Sequence, residues 1–249
     1  MISSLLACGL VLVGGRSLRA DELPTAESIL DKEVAAAGGK AATEKIKTTV
    51  LKAKGSVQDV TVDILVQLAP NRYRMDVTIE GISKDEYVVS GDVAWKKSSI
   101  TGTGVLQGAE RADVVGDAAE FAHIFQRVGN WRQRFKEAKC VAEETIGDKA
   151  AYKVELTTRD GQTRVDHYDK DSGLLLRSER AVETPQGKVN KIELYSDFRK
   201  VDGLMHPFTI RITEDTTEVA LTIEEVKHNV EIPESTFAPP AELKKQLEQ

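Results

Sequence analysis

The stretch from Lys191 to Thr213, KIELYSDFRKVDGLMHPFTIRIT, constrains the fold more than any other. Ile192 and Leu194 alternate with Lys191 and Glu193, and further on Phe208, Ile210 and Ile212 alternate with Thr209, Arg211 and Thr213. A period of two on both flanks predicts two strands, each with one buried face. Between them Asp202-Gly203 supplies the positive φ angles of a tight hairpin turn. Nothing here is a catalytic signature. The stretch has the chemistry of a curved antiparallel sheet with one apolar and one polar face.

The same pattern recurs along the chain. Val60, Val62, Ile64, Val66 and Leu68 alternate with Thr61, Asp63, Leu65 and Gln67; after Pro70-Asn71, Tyr73, Met75, Val77 and Ile79 oppose Arg72, Arg74, Asp76 and Thr78. Glu86 to Val89 and Val93 to Lys97 pair around Ser90-Gly91-Asp92, with Trp95 on the second strand. From Ala151 to Lys227, turns at Asp160-Gly161, Asp171-Ser172-Gly173 and Pro185-Gln186-Gly187 space a further meander. The whole chain reads as about eleven strands, without the crossover helices that parallel pairing requires. Sheets this large must curl, close or be covered. The expected fold is therefore mainly β (α+β): a strongly curved antiparallel half-barrel covered by a few helices.

Three segments break the period. Thr25 is a suitable N-cap for a helix carrying Ala26, Ile29, Leu30 and Val34 on one face and stopping at Gly38-Gly39. Phe121, Ile124, Phe125 and Val128 fall at helical spacing in the middle of the chain, with Trp131 and Phe135 beyond. Such a stripe serves either as ordinary core against the sheet or as a movable plug over its apolar face. The tail after Pro239-Pro240 is polar and is expected to fray.

Leu5 to Val13 is an apolar run too short to span a bilayer, and Ala20 is small, so residues 1–20 read as an export signal. An uncleaved anchor is the alternative, and Cys8 offers a loose match to a lipidation box that would anchor the chain by lipid. Residues 21–249 hold no Pro/Gly/Ser-rich linker and read as one domain in an exported, periplasmic protein. Without the leader Cys140 is the one cysteine, so the fold relies on its core and not on an internal disulfide. The formal charge of −6 lacks the basic footprint of a nucleic-acid binder.

His123, His167, His206 and His228 fall in no metal-binding spacing, and no nucleophile elbow or phosphate loop is present. The chain is read as non-enzymatic, with no cofactor and no metal. Asp169 and Asp171 begin like a calcium loop, but Gly173 arrives one residue early, so the segment reads as an Asx/Gly turn. Arg72 and Arg74 read as a solvated sheet face, or else as head-group contacts at a cavity rim. Trp95 and Trp131 read as core in preference to ligand stackers.

Five motifs stand out along the chain: Ala37-Gly38-Gly39-Lys40; Ser90-Gly91-Asp92-Val93-Ala94-Trp95; Tyr168 through Leu175; Ser196 through Gly203 with Pro207; and Ile232-Pro233 with Phe237. Together they resemble the LolA-like family, the outer-membrane lipoprotein carrier and its relatives, including exported bacterial proteins described as outer membrane lipoprotein-sorting. The resemblance implies a half-barrel closed by helices around an apolar cavity for acyl chains. A carrier of that family moves lipoproteins between membranes.

On that reading lipid or lipoprotein acyl chains would lie between the sheet residues Val62, Ile64, Val66, Met75, Val77 and Trp95 and the helical residues Phe121, Ile124 and Phe125. Burying a sixteen-carbon chain is worth about 13 kcal/mol before ordering costs, at ~0.8 kcal/mol per methylene. As a plug, Phe125 is expected to tolerate substitution by Asp with loss of acyl binding but not of the fold. The alternative is an interaction module that binds an envelope protein partner, with a filled core and an exposed apolar patch or strand edge.

Overall fold

The computed structural model describes residues 23–57, 60–126, 131–184 and 187–247. The expected leader, Cys8 and Val128 lie outside them. The described residues form a 13-stranded antiparallel sheet whose order is β6-β5-β4-β3-β2-β1-β13-β12-β11-β10-β9-β8-β7. Two meanders make it up. The first runs β1 (Thr49–Val57), β2 (Val60–Ala69), β3 (Arg72–Ile79), β4 (Ser83–Ser90), β5 (Val93–Ser98) and β6 (Gly102–Val105). The second runs β7 (Phe135–Ile146), β8 (Lys149–Thr158), β9 (Thr163–Asp169), β10 (Leu175–Thr184), β11 (Gly187–Val201), β12 (Leu204–Glu214) and β13 (Thr217–His228). They join where β1 pairs with β13, from Thr49↔His228 to Ser56↔Ala220.

The sequence expectation of about eleven strands misses two edge strands. β6 is short and glycine-rich, and β7 alternates charged with small residues, so neither shows a clean apolar period. These two edges are consecutive in the chain, so residues 106–134 must cross from one side of the sheet to the other. Laid flat, thirteen strands would separate the edges by roughly 58 Å. The sheet instead curls around the crossing segment, which is α3 (Gly108–Phe121), a π-helical turn (Ala122–Gln126) and α4 (Trp131–Arg134). Topology, not helix propensity alone, lays this segment on the concave face.

α1 (Ala26–Ala36) covers the same face near the second meander. Ser28 N donates to the Thr25 hydroxyl at 3.3 Å, and Gly38 and Gly39, both at positive φ, end the helix before α2 (Lys40–Thr43). A Cβ on Gly38 would lie 2.5 Å from the Gly203 carbonyl oxygen. That close approach docks the β11–β12 turn, with Asp202 at φ 50° and Gly203 at φ 90°, onto the end of α1, where Met205 N donates to Ala37 O at 3.0 Å. The turn is the one expected from Asp202-Gly203.

The main core fills the concavity with Leu51, Val66, Leu68, Tyr73, Phe208, Ile210, Leu221 and Ile223 from the sheet and Ile29, Leu30, Ile124 and Phe125 from the helices. A second cluster lies on the convex face, where Val88 and Trp95 meet Phe237 and Leu243. As far as Leu247 the tail therefore does not fray. Its helix α5 (Ala241–Leu247) seats Leu243, 1% exposed, against the outside of the first meander. Arg74 reaches the same segment, donating to Thr236 O at 3.0 Å as well as to Asp76 and Glu86, and Arg72 pairs with Glu234 at 3.0 Å. Arg74 clamps the C-terminal segment, whereas the Arg72–Glu234 pair lies on the solvated surface, and neither arginine lies at a cavity rim. Among the described residues no helix is long and apolar enough to cross a membrane.

Candidate functional site

Alternation and register place Val62, Ile64, Val66, Met75 and Val77 on the concave face, which Phe121, Ile124 and Phe125 cover. Six of these eight belong to the main core or pack on it; Val62 and Val77 lie nearer the other strand ends. Trp95 is separated from them. It pairs with Val88, while its neighbour Ala94 pairs with the inward Val89, so the indole points to the convex side under Phe237 and Leu243. Space at the expected site is filled: Phe121 packs between Tyr73 and Phe125, at ring-centroid distances of 6.0 and 5.9 Å, and Phe125 stacks on His206 at 5.6 Å.

His206 continues into a buried relay. With both rings neutral, one arrangement of protons satisfies these three contacts. His206 Nδ1–H donates to the Ile124 carbonyl at 3.2 Å, His228 Nε2–H donates to His206 Nε2 at 3.0 Å, and the Thr49 hydroxyl donates to His228 Nδ1 at 3.0 Å. Burial holds His228 below its ordinary pKa, in keeping with a neutral ring. The relay ties the π-helical turn to the seam between the two meanders.

A cavity of about 530 Å³ opens elsewhere, between α1 and the α4–β7 junction. Its apolar wall is Leu30, Val34, Ala37, Trp131, Phe135 and Tyr168, and charged groups including Asp31, Lys40, Glu44 and Arg132 border it. None of the nine residues expected from the sequence lines it. Across its border Asp31 accepts from Trp131 Nε1 at 2.7 Å and from Arg132 at 2.9 and 3.0 Å, and these bonds hold the Asp31 carboxyl below the usual range. Trp131 is thus a hydrogen-bonded wall of the cavity. The sequence clue to this place was the amphipathic period of α1 facing the Trp131/Phe135 pair.

Behind Tyr168 the floor turns polar. The Tyr168 hydroxyl donates to Asp166 at 3.0 Å, Asp166 pairs with Arg164 at 2.9 Å, and Arg164 donates to Glu120 of α3 at 2.7 and 3.2 Å. Further along, Asp117 of α3 accepts from Arg180 at 2.9 Å and from Lys191 at 2.7 Å. In β11 the buried face is the opposite of the obvious one: Lys191 and Glu193, each 6% exposed, turn inward, while Ile192 and Leu194 are only half-buried. The acidic stripe of α3 compensates the inward Lys191, which is why this face can be charged. Burial would push Glu120 up, but Arg164 and Arg134 hold it well below the ordinary range. Glu193, with burial and the Glu120 charge against it, is pushed up to about 7.

His167 lies apart from this network. It is buried on the other side of β9, with Nε2 2.9 Å from Glu144. The Asp169 carboxylate accepts from Asp171 N and Ser172 N at 2.8 and 3.3 Å, the expected Asx turn. Among the described residues no group of three or more His, Cys, Asp or Glu is arranged to hold a metal ion.

The architecture corresponds to known structures. A LolA superfamily protein from Nitrosomonas europaea is similar over 87% of this chain and 98% of its own, with a TM-score of 0.52 at 16% identity. The fold is LolA-like. A putative outer membrane lipoprotein-sorting protein domain from Vibrio parahaemolyticus, with TM-score 0.53 at 10% identity, covers 90% of this chain and all of its own length. A DUF1329 family protein from Desulfovibrio piger reaches a TM-score of 0.57 at 12% identity, over 87% of this chain and 98% of that one. No protein-family profile matches the chain, and no curated protein matches its sequence. The LolA-like relationship is therefore one of fold.

Proposed function

We propose that this chain is an exported, single-domain, non-enzymatic protein that binds lipid or lipoprotein acyl chains, and that it takes them up in the cavity between α1 and the α4–β7 junction. The observation that carries the reading is that cavity. At about 530 Å³ it falls within the ordinary range of small-molecule sites, and it joins apolar walls to a charged border, as an amphiphile requires. The LolA-like fold supports it, since one similar structure is described as a putative lipoprotein-sorting domain. Trp131, in the wall, would report an acyl chain directly.

The test is native mass spectrometry of the protein from its own compartment, before and after organic extraction, followed by titration with a fluorescent fatty acid. A removable mass matching lipid or acylated peptide, and uptake reduced by filling the cavity with Val34→Trp, are expected. A bare polypeptide mass with no uptake overturns the reading. That result would favour an envelope interaction module, a reading to which the filled concave face also lends support: Val66, Ile124 and Phe125 are each no more than 3% exposed.

A further inference from the structure

Arg164, Arg180 and Lys191 stand side by side on the concave face. Arg164 is the cross-strand partner of Arg180, and Arg180 of Lys191, so one row across β9, β10 and β11 presents three cations in register. Like charges directly opposite one another are destabilising on a sheet unless an anion lies across them. The neighbouring row, Asp166, Ser178 and Glu193, supplies part of the compensation. The rest comes from α3, whose Asp117 bridges Arg180 and Lys191 and whose Glu120 grips Arg164.

The covering face of α3 is an unusual one for a helix over a curved apolar sheet. Asp113, Asp117 and Glu120 follow at i, i+4 and i+7, and Val114, Ala118 and Phe121 follow at the same spacing one residue on. An anionic stripe runs beside an apolar stripe. The first lies on the cationic row and the second on the apolar wall near Tyr73. Chemically, α3 presents to the sheet what an anionic lipid would present. Donor capacity remains in the row: Arg180 Nε is buried without a hydrogen-bond partner, 3.9 Å from the acceptor Glu193 Oε2 of the neighbouring row.

We propose that the row of Arg164, Arg180 and Lys191 is a site for the phosphate-bearing headgroup of an anionic lipid, with α3 as a built-in stand-in whose Asp117 and Glu120 carboxylates the headgroup replaces. This rests on the acyl-binding reading and names its ligand. Guanidinium forks match phosphate oxygens in a bidentate manner, and three cations on adjacent strands fall within about 10 Å, the span of one headgroup. The exchange puts one phosphodiester charge in place of two carboxylates: the row keeps an anion throughout, and the two displaced carboxylates regain water. Tyr168, hydrogen-bonded to Asp166 next to Arg164, also lines the cavity, so headgroup and acyl sites adjoin.

The experiment compares short-chain phosphatidylglycerol, phosphatidylcholine of the same chain length and inorganic phosphate by calorimetry, on the purified chain and on two variants. About tenfold tighter binding of phosphatidylglycerol than phosphatidylcholine is expected, the strength of one or two charge-assisted hydrogen bonds. Lys191→Gln should erase that preference, and Asp117→Asn, which weakens the stand-in, should increase it. Hydrogen exchange on the unsubstituted protein needs no variant, and phosphatidylglycerol should speed exchange of the α3 amides. Equal binding of both lipids, or unchanged α3 protection with phosphatidylglycerol bound, overturns the headgroup site and leaves acyl binding standing. Phosphate binding as tightly as phosphatidylglycerol makes this a free-anion site and overturns the lipid assignment. Binding of none of the three overturns both readings.

Discussion

The Arg164 guanidinium donates two hydrogen bonds to the Glu120 carboxylate, at 2.7 and 3.2 Å, between a strand and the helix that crosses above it. Both side chains are buried, so neither charge has water to fall back on. Glu120→Ala is expected to cost about 3–5 kcal/mol, the usual penalty for leaving one partner of a buried pair uncompensated. Urea unfolding measures it, and a loss below about 1 kcal/mol would show that α3 does not depend on this pair.

Glu193 gives the fold a pH dependence of unusual sign. Its pKa rises from an ordinary 4.5 to about 7 in the folded chain, through burial and the nearby Glu120. A group with a raised folded pKa contributes stability that is fully present below the unfolded value and is lost as pH rises through the folded one. The contribution lost between pH 4.5 and pH 8 is on the order of 3 kcal/mol. Glu193→Gln should flatten the urea midpoint across this window; an unchanged slope rules the assignment out.

His228 acts in the opposite direction. Burial lowers its pKa from the ordinary 6.5, so as pH falls below 6.5 the unfolded chain takes the proton first and the folded chain loses stability. Protonating His228 places the new N–H at Nδ1, against the Thr49 hydroxyl that donates to it, and protonating His206 places N–H against N–H in the His206–His228 contact. Imidazole NMR should give a His228 midpoint below 6.5, with the Ile124 environment shifting together with it. A midpoint at or above 6.5 contradicts the relay.

Phe125→Asp is not the clean binding variant that a plug would suggest. The ring is 1% exposed, packed against Phe121 and His206. A carboxylate there has no cation among its described ring neighbours, so loss of the fold is the expected result. Phe125→Ala should cost about 3–5 kcal/mol by thermal or chemical unfolding. A fold unaffected by Phe125→Asp would restore the movable plug.

Leu243→Ala should cost about 2–4 kcal/mol and change the emission of Trp95, because the two share the small convex cluster with Val88 and Phe237. Stability and Trp95 emission unchanged by the variant would return α5 to the status of a loose tail.

The sequence carried the strands and their turns, because alternation and turn chemistry are local. Val60 to Leu68, Arg72 to Ile79 and the Asp202-Gly203 hairpin lie where their periods place them. The edge strands β6 and β7 escaped, since residues paired on one side only need not alternate cleanly. Trp95 went to the wrong face in the site reading because a period of two states which residues share a face, and not which face is covered.

That distinction marks the limit of the sequence here. By itself it determined an antiparallel meander with amphipathic strands and a helical interruption near Phe121, all consequences of neighbours a few residues apart. Tertiary structure decided the rest. It joined β1 to β13, which put the two edges on either side of the crossing and forced its described helices over the concave face. Once α3 lay there with Asp117 and Glu120, the inward side of β9 to β11 could hold Arg164, Arg180 and Lys191. A charge is buried only where another charge meets it, and that meeting is made by residues far apart in the chain.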